Sequence, residues 1–392
     1  MKHPYGKPTN ICMRPWTLSR KETVEFARTL GVAVNAHDLA CIVDLYADNA
    51  VMVSPMFPRV EGRAAIAENW KTIFSTFPDW TVEVSDVMVD GNRVALLGNA
   101  TATDRNGWFG QPATGERIEY RAIIYLTFVD GKIVRDERVY DLTALLQRLE
   151  KSRLDKEMRM AADVQRALLA QTRHSTPFCD AIADSVPCRA IGGDFFELGQ
   201  LPSGDFAVAL GDVAGKGPAS ALLAAMIQGM LATELETEHR PSAVLERLNR
   251  LLLRRGLEPR FSTLVFGKLS PDGRFVYSNA GHNPPVLLTR GGIRRLTTGG
   301  PVLGALTTST FEEETLSLRP QDTVVLFSDG VTEARDSQDG DFGEERLISC
   351  IHALSARPAP EMLHGILTAV QDFSRGTVPS DDMTVAIARF RT

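Results

Sequence analysis

Thirty consecutive residues without glycine or proline, LTALLQRLEKSRLDKEMRMAADVQRALLAQ at 142–171, run through the middle of this 392-residue chain. So long a stretch without a breaker, rich in Leu, Ala, Glu, Lys and Arg, reads as one helix. Its apolar positions, 142, 145, 146 and 149, then 154, 158, 161, 164 and 168, keep near-heptad spacing with one skip. Such a helix either lies on its own domain or forms a stalk that pairs with a second chain, and both readings stand. In either case it divides the chain into an N-terminal and a C-terminal part. At roughly 150 residues per domain, a chain of this length already calls for two or three domains.

The two sides differ chemically. All four tryptophans (Trp16, Trp70, Trp80, Trp108) and five of the six tyrosines precede residue 141. After a Pro-punctuated tail at 1–19, residues 20–36 and 38–47 read as helices. A third helix at 62–77 sets Ile66, Trp70, Ile73, Phe74 and Phe77 on one face. The period then changes to two: WTVEVSDVMV, NRVALLGNATATD, ERIEYRAIIYLTFV and KIVRDERVYD are strand-like, with hairpin turns at Asp90-Gly91 and Asp130-Gly131. In the third of these, Ile118, Tyr120, Ala122, Ile124, Leu126 and Phe128 are apolar at every second position. Residues 20–141 are therefore predicted to pack helices on a curved antiparallel sheet.

From 172 to 392 the chain is richer in glycine and in buried-strand runs such as DFAVALGD, FSTLVFGKL, TVVLFSDG and MTVAIARF. Helical stretches at 218–236, 241–255, 345–355 and 360–374 lie between them. Strands mixed with paired helices predict a layered α+β sandwich.

Charge and cysteine usage narrow the function. Lys and Arg total 43 against 49 Asp and Glu, a net charge of −6, which disfavours nucleic-acid binding. Cys12, Cys41, Cys179, Cys188 and Cys350 form no C-x-x-C pair and fit a reducing compartment. No apolar run reaches 18 residues and the N-terminus lacks a signal-like apolar stretch, so the expectation is a cytoplasmic protein without membrane contact.

Four aspartates stand where strands begin or end: Asp194 in IGGDFFE, Asp212 in ALGDVAGKG, Asp329 in LFSDGVTE and Asp381 in PSDDMTV. A turn is the default for an Asp-Gly pair, and Asp90, Asp130, Asp272 and Asp339 read that way. Asp329 differs because it ends the apolar strand TVVLF, and Asp212 repeats that pattern after FAVAL. Carboxylates converging from strand ends, with no Cys or His cluster, form a hard oxygen site suited to Mg²⁺ or Mn²⁺. GDVAGKG is not a phosphate loop, since Gly211 to Gly215 spans too few residues and Gly217 stands where Ser or Thr should be. IGGDFFE also resembles the diguanylate cyclase signature, but that is the poorer reading, because Phe195 replaces its Glu and the preceding 40 residues offer a charged helix instead of a strand ending in a second metal-binding Asp.

The ordered set GGDFFE, GDVAGKGPASAL, NAGHNPP, FSDGVTEA and SDDMTV resembles the metal-dependent serine/threonine protein phosphatases of the SpoIIE/RsbU branch, over about 157–392. EMRMAADVQRALLA resembles the segment that leads into that domain. The resemblance implies an α/β/β/α sandwich and two Mn²⁺ or Mg²⁺ ions. Asp212 would bridge both, Asp329 and Asp381 would hold one, and Asp194 with the Val213 carbonyl would hold the other. A hydroxide between the ions would attack phosphorus in line, without a protein nucleophile. It further implies a phosphorylated anti-sigma-factor antagonist as the protein partner. Arg189 and Lys216 are candidate phosphate contacts. His282 is either a proton donor to the leaving serine or a turn-stabilising histidine. Glu197 stands where the family usually has Asp, and Ala170 replaces the usual Pro.

DLYADNAVMVSP, EGRAAIAENW, FPDWTVEV, DGNRVALLGNATAT and FVDGKIVRDERVYDLTALLQRL resemble the SnoaL-like branch of the nuclear transport factor 2-like fold, a cone of helices and curved sheet around a pocket. Trp80, Trp108, Tyr120 and Tyr140 are candidates to line that pocket for a small-molecule ligand, with Asp136, Arg138 and Asp141 supplying polar groups; the plain alternative is that the aromatics fill a core. The order is then a sensor at 20–141, a helical linker at 142–171 and a phosphatase at 172–392, expected as a homodimer. The competing reading is a catalytically inert scaffold that senses a ligand and holds a partner.

Overall fold

The computed structural model describes residues 20–57, 59–108, 110–169, 172–236, 240–256 and 261–392. The tail at 1–19, with Cys12 and Trp16, and the substituted Ala170 lie outside the described residues. The chain divides into two compact units, 1–156 and 157–392.

The first unit runs α1 (Arg20–Asn35), α2 (Leu39–Asp44), β1 (Tyr46–Val53), β2 (Val60–Glu61), α3 (Arg63–Thr76), β3 (Thr81–Asp90), β4 (Arg93–Thr103), β5 (Arg117–Val129), β6 (Lys132–Val139) and the start of α4 (Leu142–Leu168). Its sheet has the order β2-β1-β6-β5-β4-β3. The sequence predicted a helix through 47, but α2 ends at Asp44 and β1 pairs in parallel with β6. That pairing joins segments about ninety residues apart, so no local period reveals it. The β5–β6 hairpin turns through Asp130 and Gly131, both at positive φ, as its type requires. The β3–β4 turn is Gly91-Asn92, one residue later than predicted, with positive φ at Gly91 alone.

The inward face of β5 carries the predicted alternation, and its ends, Ile118, Leu126 and Phe128, are buried. Its middle, Tyr120, Ala122 and Ile124, is only half-buried because these residues line a cavity against α1 and α3. The start of α4 turns Leu145 and Leu149 into the same core.

The second unit comprises the end of α4, β7 (Thr172–Ser175), β8 (Cys179–Val186), β9 (Phe195–Gln200), β10 (Phe206–Val213), α5 (Pro218–Leu235), α6 (Pro241–Arg254), β11 (Ser262–Leu269), β12 (Arg274–Ala280), β13 (Val286–Thr289), β14 (Gly292–Arg295), β15 (Gly299–Gly300), β16 (Glu314–Ser317), β17 (Thr323–Phe327), α7 (Asp329–Thr332), α8 (Gly343–Ala353), α9 (Ala359–Phe373) and β18 (Met383–Phe390). One sheet has the order β15-β12-β11-β10-β9, with β16 on β12; the other is β14-β13-β17-β18-β8-β7.

Phe196, Phe206, Val208 and Val265 of the first sheet interdigitate with Ala181, Leu287, Val324 and Ala386 of the second to form the central core. The outer face of the first sheet is covered by Leu223, Ile227 and Leu231 of α5 and Leu245 and Leu248 of α6. The outer face of the second is covered by Leu347 of α8 and Met362 and Ile366 of α9. The result is an α/β/β/α sandwich. Strands buried on both faces are largely apolar, and β18 (MTVAIARF) is buried at every position, Thr384 and Arg389 being its hydrogen-bonded polar exceptions. Among the described residues α5 alone is long and apolar enough to cross a membrane by composition, and here it is a core helix.

Candidate metal centre

The chemistry collects where the central strands of the two sheets end. Asp212 is the penultimate residue of β10. Asp194 directly precedes β9, its neighbour, and Asp329 and Asp381 stand at the end of β17 and just before β18. The side chain of Asp194 is buried and accepts a 2.5 Å bond from Thr384 Oγ1. Burial, then the charge of Asp212, holds its carboxyl well above the ordinary range. Burial, then Asp329 and Asp381, pushes Asp212 up to about 7, and Asp329 is raised by burial and then Asp381.

Like charges gathered this closely, with their ordinary hydration removed, form a site that positive charge stabilises. The donors are all oxygen, and Gly193 leaves space beside them: a Cβ there would lie 2.9 Å from the Val213 carbonyl oxygen and 3.3 Å from Asp212 Oδ1. The residues present therefore fit hard divalent cations, with Asp194, Asp212, Asp329, Asp381 and the Val213 carbonyl as the donors on offer.

Asp382 is the residue the sequence reading missed. Its Oδ1 accepts from Cys188 N (2.8 Å) and its Oδ2 from Gly193 N (2.7 Å), pinning the loop before Asp194 to the start of β18. Ser328 Oγ donates to the Asp382 carbonyl and accepts from Thr384 N, tying the end of β17 to the same point. The paired aspartates of SDDM were the available signal, but the partners of the second lie about 190 residues away. Cys188 lies close to Asp381 and Asp382. Its thiol is pushed up to about 11 by burial and the Asp382 charge, and both Asp382 oxygens accept backbone hydrogen bonds.

The other predicted residues separate. Lys216 Nζ lies 2.7 Å from Asp381 Oδ2 and also donates to the Ser380 carbonyl, whereas Arg189 is exposed on the loop after Cys188. Glu197, half-buried on β9, accepts from Gln228 of α5. His282 is buried, exchanges two bonds with Asn279, and lies 2.7 Å from Thr263 Oγ1 through Nδ1. Ser262 and Thr263 in turn bond the Asp212 carbonyl. Burial lowers the His282 pKa to about 4, so it is neutral near pH 7. Through Thr263 it braces the backbone of Asp212, the turn-stabilising role, while the charged imidazolium form that a proton donor would use is disfavoured by burial.

In the first unit, Trp80, Tyr120 and Tyr140 line a cavity of about 50 Å³. Trp108 lines a smaller cavity that shares Trp80 and Tyr120 with it, and its ring meets Phe77 edge-on at 5.4 Å. Asp141 is absent from the lining, because it caps α4 through Ala144 N. Asp136 lies at the cavity with one oxygen 2.6 Å from the Tyr46 hydroxyl, and both its oxygens are bonded by Arg138 at 3.2 and 3.0 Å. Arg138 also lies 4.5 Å over the Trp70 ring.

Residues 202–391 match the family described as stage II sporulation protein E (SpoIIE), and residues 27–136 match the SnoaL-like domain. Phosphoserine phosphatase RsbU of Bacillus subtilis (strain 168) is 31% identical over 239 residues, which cover 59% of this chain and 70% of RsbU. The chain belongs to the SpoIIE/RsbU family of serine/threonine protein phosphatases. This phosphatase also superposes on the SiaA-PP2C domain of Pseudomonas aeruginosa, with a TM-score of 0.54 at 18% identity, covering 62% of this chain and 98% of that one. The RsbU and RsbW domains of Rv1364c from Mycobacterium tuberculosis give 0.51 at 23% identity, covering 58% and 63%. At these identities the likeness is one of fold.

Proposed function

We propose that the chain removes phosphate from a phosphoserine or phosphothreonine of a protein at the carboxylate centre, with two Mn²⁺ or Mg²⁺ ions. The observation that carries this reading is the convergence of buried, mutually repelling carboxylates at strand ends. Bound ions supply an acidified water and positive charge opposite the transferring phosphoryl group. The chain itself holds the oxygens in place: Thr384 orients Asp194, Ser262 and Thr263 hold the backbone of Asp212, and Asp382 fixes the loop before Asp194. Lys216, beside Asp381, is a cation within reach of an incoming phosphate. By the family resemblance the substrate is a phosphorylated anti-sigma-factor antagonist. Asp212→Asn should lower phosphoester turnover more than about 100-fold, since changes one shell further out already cost 10–100-fold. Near-normal turnover would sink the assignment. A folded protein without metal-dependent turnover would favour the inert scaffold.

The SnoaL-like domain reads as a receptor that controls this activity. Both oxygens of Asp136 are engaged, which leaves no free carboxylate for acid–base work, while Arg138 Nη1 and the Tyr120 hydroxyl make no hydrogen bond among the described residues. The ligand this favours is small and uncharged, with an apolar body and one acceptor oxygen, because a charged ligand beside an already neutral pair would be buried uncompensated. Exposed Leu154, Met160, Val164 and Leu168 on α4 support a homodimer through that helix.

A further inference from the structure

In NAGHNPP, residues 279–285, the chain crosses from one sheet of the sandwich to the other. β12 ends at Ala280 in the sheet that carries Asp212, and β13 begins at Val286 in the sheet whose strand β17 runs into Asp329. The crossing is held at its start. Asn279 Oδ1 accepts from His282 N at 2.7 Å, and Asn279 Nδ2 donates to the His282 carbonyl at 2.9 Å. Gly281, between them, has a φ of +67°, and a Cβ there would lie 2.6 Å from Val302 Cγ1, so the turn admits no side chain. His282 follows with its ring buried.

That ring touches both sheets. Its Nδ1 lies 2.7 Å from Oγ1 of Thr263, the residue of β11 that stands opposite Asp212 in the register. Thr263 Oγ1 in turn donates to the Asp212 carbonyl at 3.4 Å. The ring also faces the carbonyl of Phe327, the last residue of β17 and two before Asp329. Apolar packing between the sheets is non-directional, so it does not by itself fix the offset of their ends to the precision that a site of converging carboxylates needs. A hydrogen-bonded ring between them does.

We propose that His282 is a positioning residue that bridges the two sheets and sets the offset of Asp212 from Asp329, through Thr263 on one sheet and the Phe327 carbonyl on the other. This rests on the reading of Asp212 and Asp329 as metal ligands. An outer partner of this kind is expected to change metal affinity by about 10–100-fold without touching the ion.

The test is a double-mutant cycle read by calorimetric titration of Mn²⁺ into the full chain. His282→Phe keeps a ring but removes its nitrogens, and Thr263→Val keeps the shape but removes the hydroxyl. Each should weaken Mn²⁺ binding at least about tenfold, and Thr263→Ser, which restores the hydroxyl, should bind as wild type does. Because the two residues act along one path, the double variant should lose little more than the worse single one, whereas independent losses would multiply. At saturating Mn²⁺, His282→Phe should lower kcat by the same factor for p-nitrophenyl phosphate and for phenyl phosphate. A loss at least about tenfold larger for phenyl phosphate, whose leaving group needs the proton more, assigns His282 to proton transfer and overturns the proposal. Wild-type affinity in Thr263→Val, or losses that multiply, also overturns it and leaves the metal reading standing. Failure of the wild-type chain to bind Mn²⁺ overturns both.

Discussion

Asp194, Asp212 and Asp329 are each held above the ordinary carboxylate pKa by burial first and by neighbouring carboxylates second. A folded-state value above the unfolded one means the folded chain binds the proton more tightly. The stability this adds is complete below the unfolded value of 3.8 and is lost as pH rises through the folded value, about 7 for Asp212. The melting temperature of the metal-free protein should therefore fall between pH 5 and pH 8, and added Mn²⁺ should raise it more at pH 8 than at pH 5. Differential scanning fluorimetry in chelator and in Mn²⁺ checks this; a metal-free melting temperature that climbs across the range would contradict it. At this scale the sequence disclosed the aspartates that end apolar strands, because a carboxylate after TVVLF has few other reasons to be there. It did not disclose Asp382, Thr384 or the brace from His282, whose roles depend on partners brought near only by the fold.

Among the elements, β6 shows how one strand builds two things. Ile133 closes the core, while Asp136 and Arg138, two positions apart, face the cavity and hold each other there. Arg138 keeps only 8% of its side chain exposed, and Asp136 is almost wholly buried. Arg138→Met would leave that carboxylate without its cation and should lower the stability of the chain by about 3–5 kcal/mol, measured by urea unfolding. A loss below about 1 kcal/mol would mean that the pair is not desolvated as described. Most helices and the antiparallel hairpins were legible from period and turn chemistry, although α2 ends three residues before the predicted limit and the β3–β4 turn lies one residue later. The parallel β1–β6 pairing was not, because long-range pairing leaves no local mark. Which rings face the larger cavity was not legible either, because composition marks an aromatic-rich domain but not the direction of each ring; Trp108 faces a smaller cavity together with Trp80 and Tyr120.

For the molecule as a whole, the aromatic imbalance becomes a tool. Every tryptophan precedes the linker helix, so intrinsic tryptophan fluorescence reports on the N-terminal side alone, and Trp70 and Trp80 line its cavity. Acetophenone, a single ring with one acceptor oxygen, should quench this fluorescence and change phosphatase turnover, whereas benzoate and benzylamine should do neither. Quenching by all three alike would remove the argument from Arg138 and Tyr120. The two-part organisation was legible because a breaker-free helix separates stretches of different composition. The layering of the second unit was legible from strands largely apolar on both faces, which a layered sandwich buries. If the carboxylate centre works only with bound divalent cations, hydrolysis of p-nitrophenyl phosphate by the chelator-treated full chain should follow an Mn²⁺ titration. No turnover is expected before metal is added, then a rise to saturation as the ions bind; equal turnover in chelator, or none at saturating Mn²⁺, would rule a metal-dependent centre out.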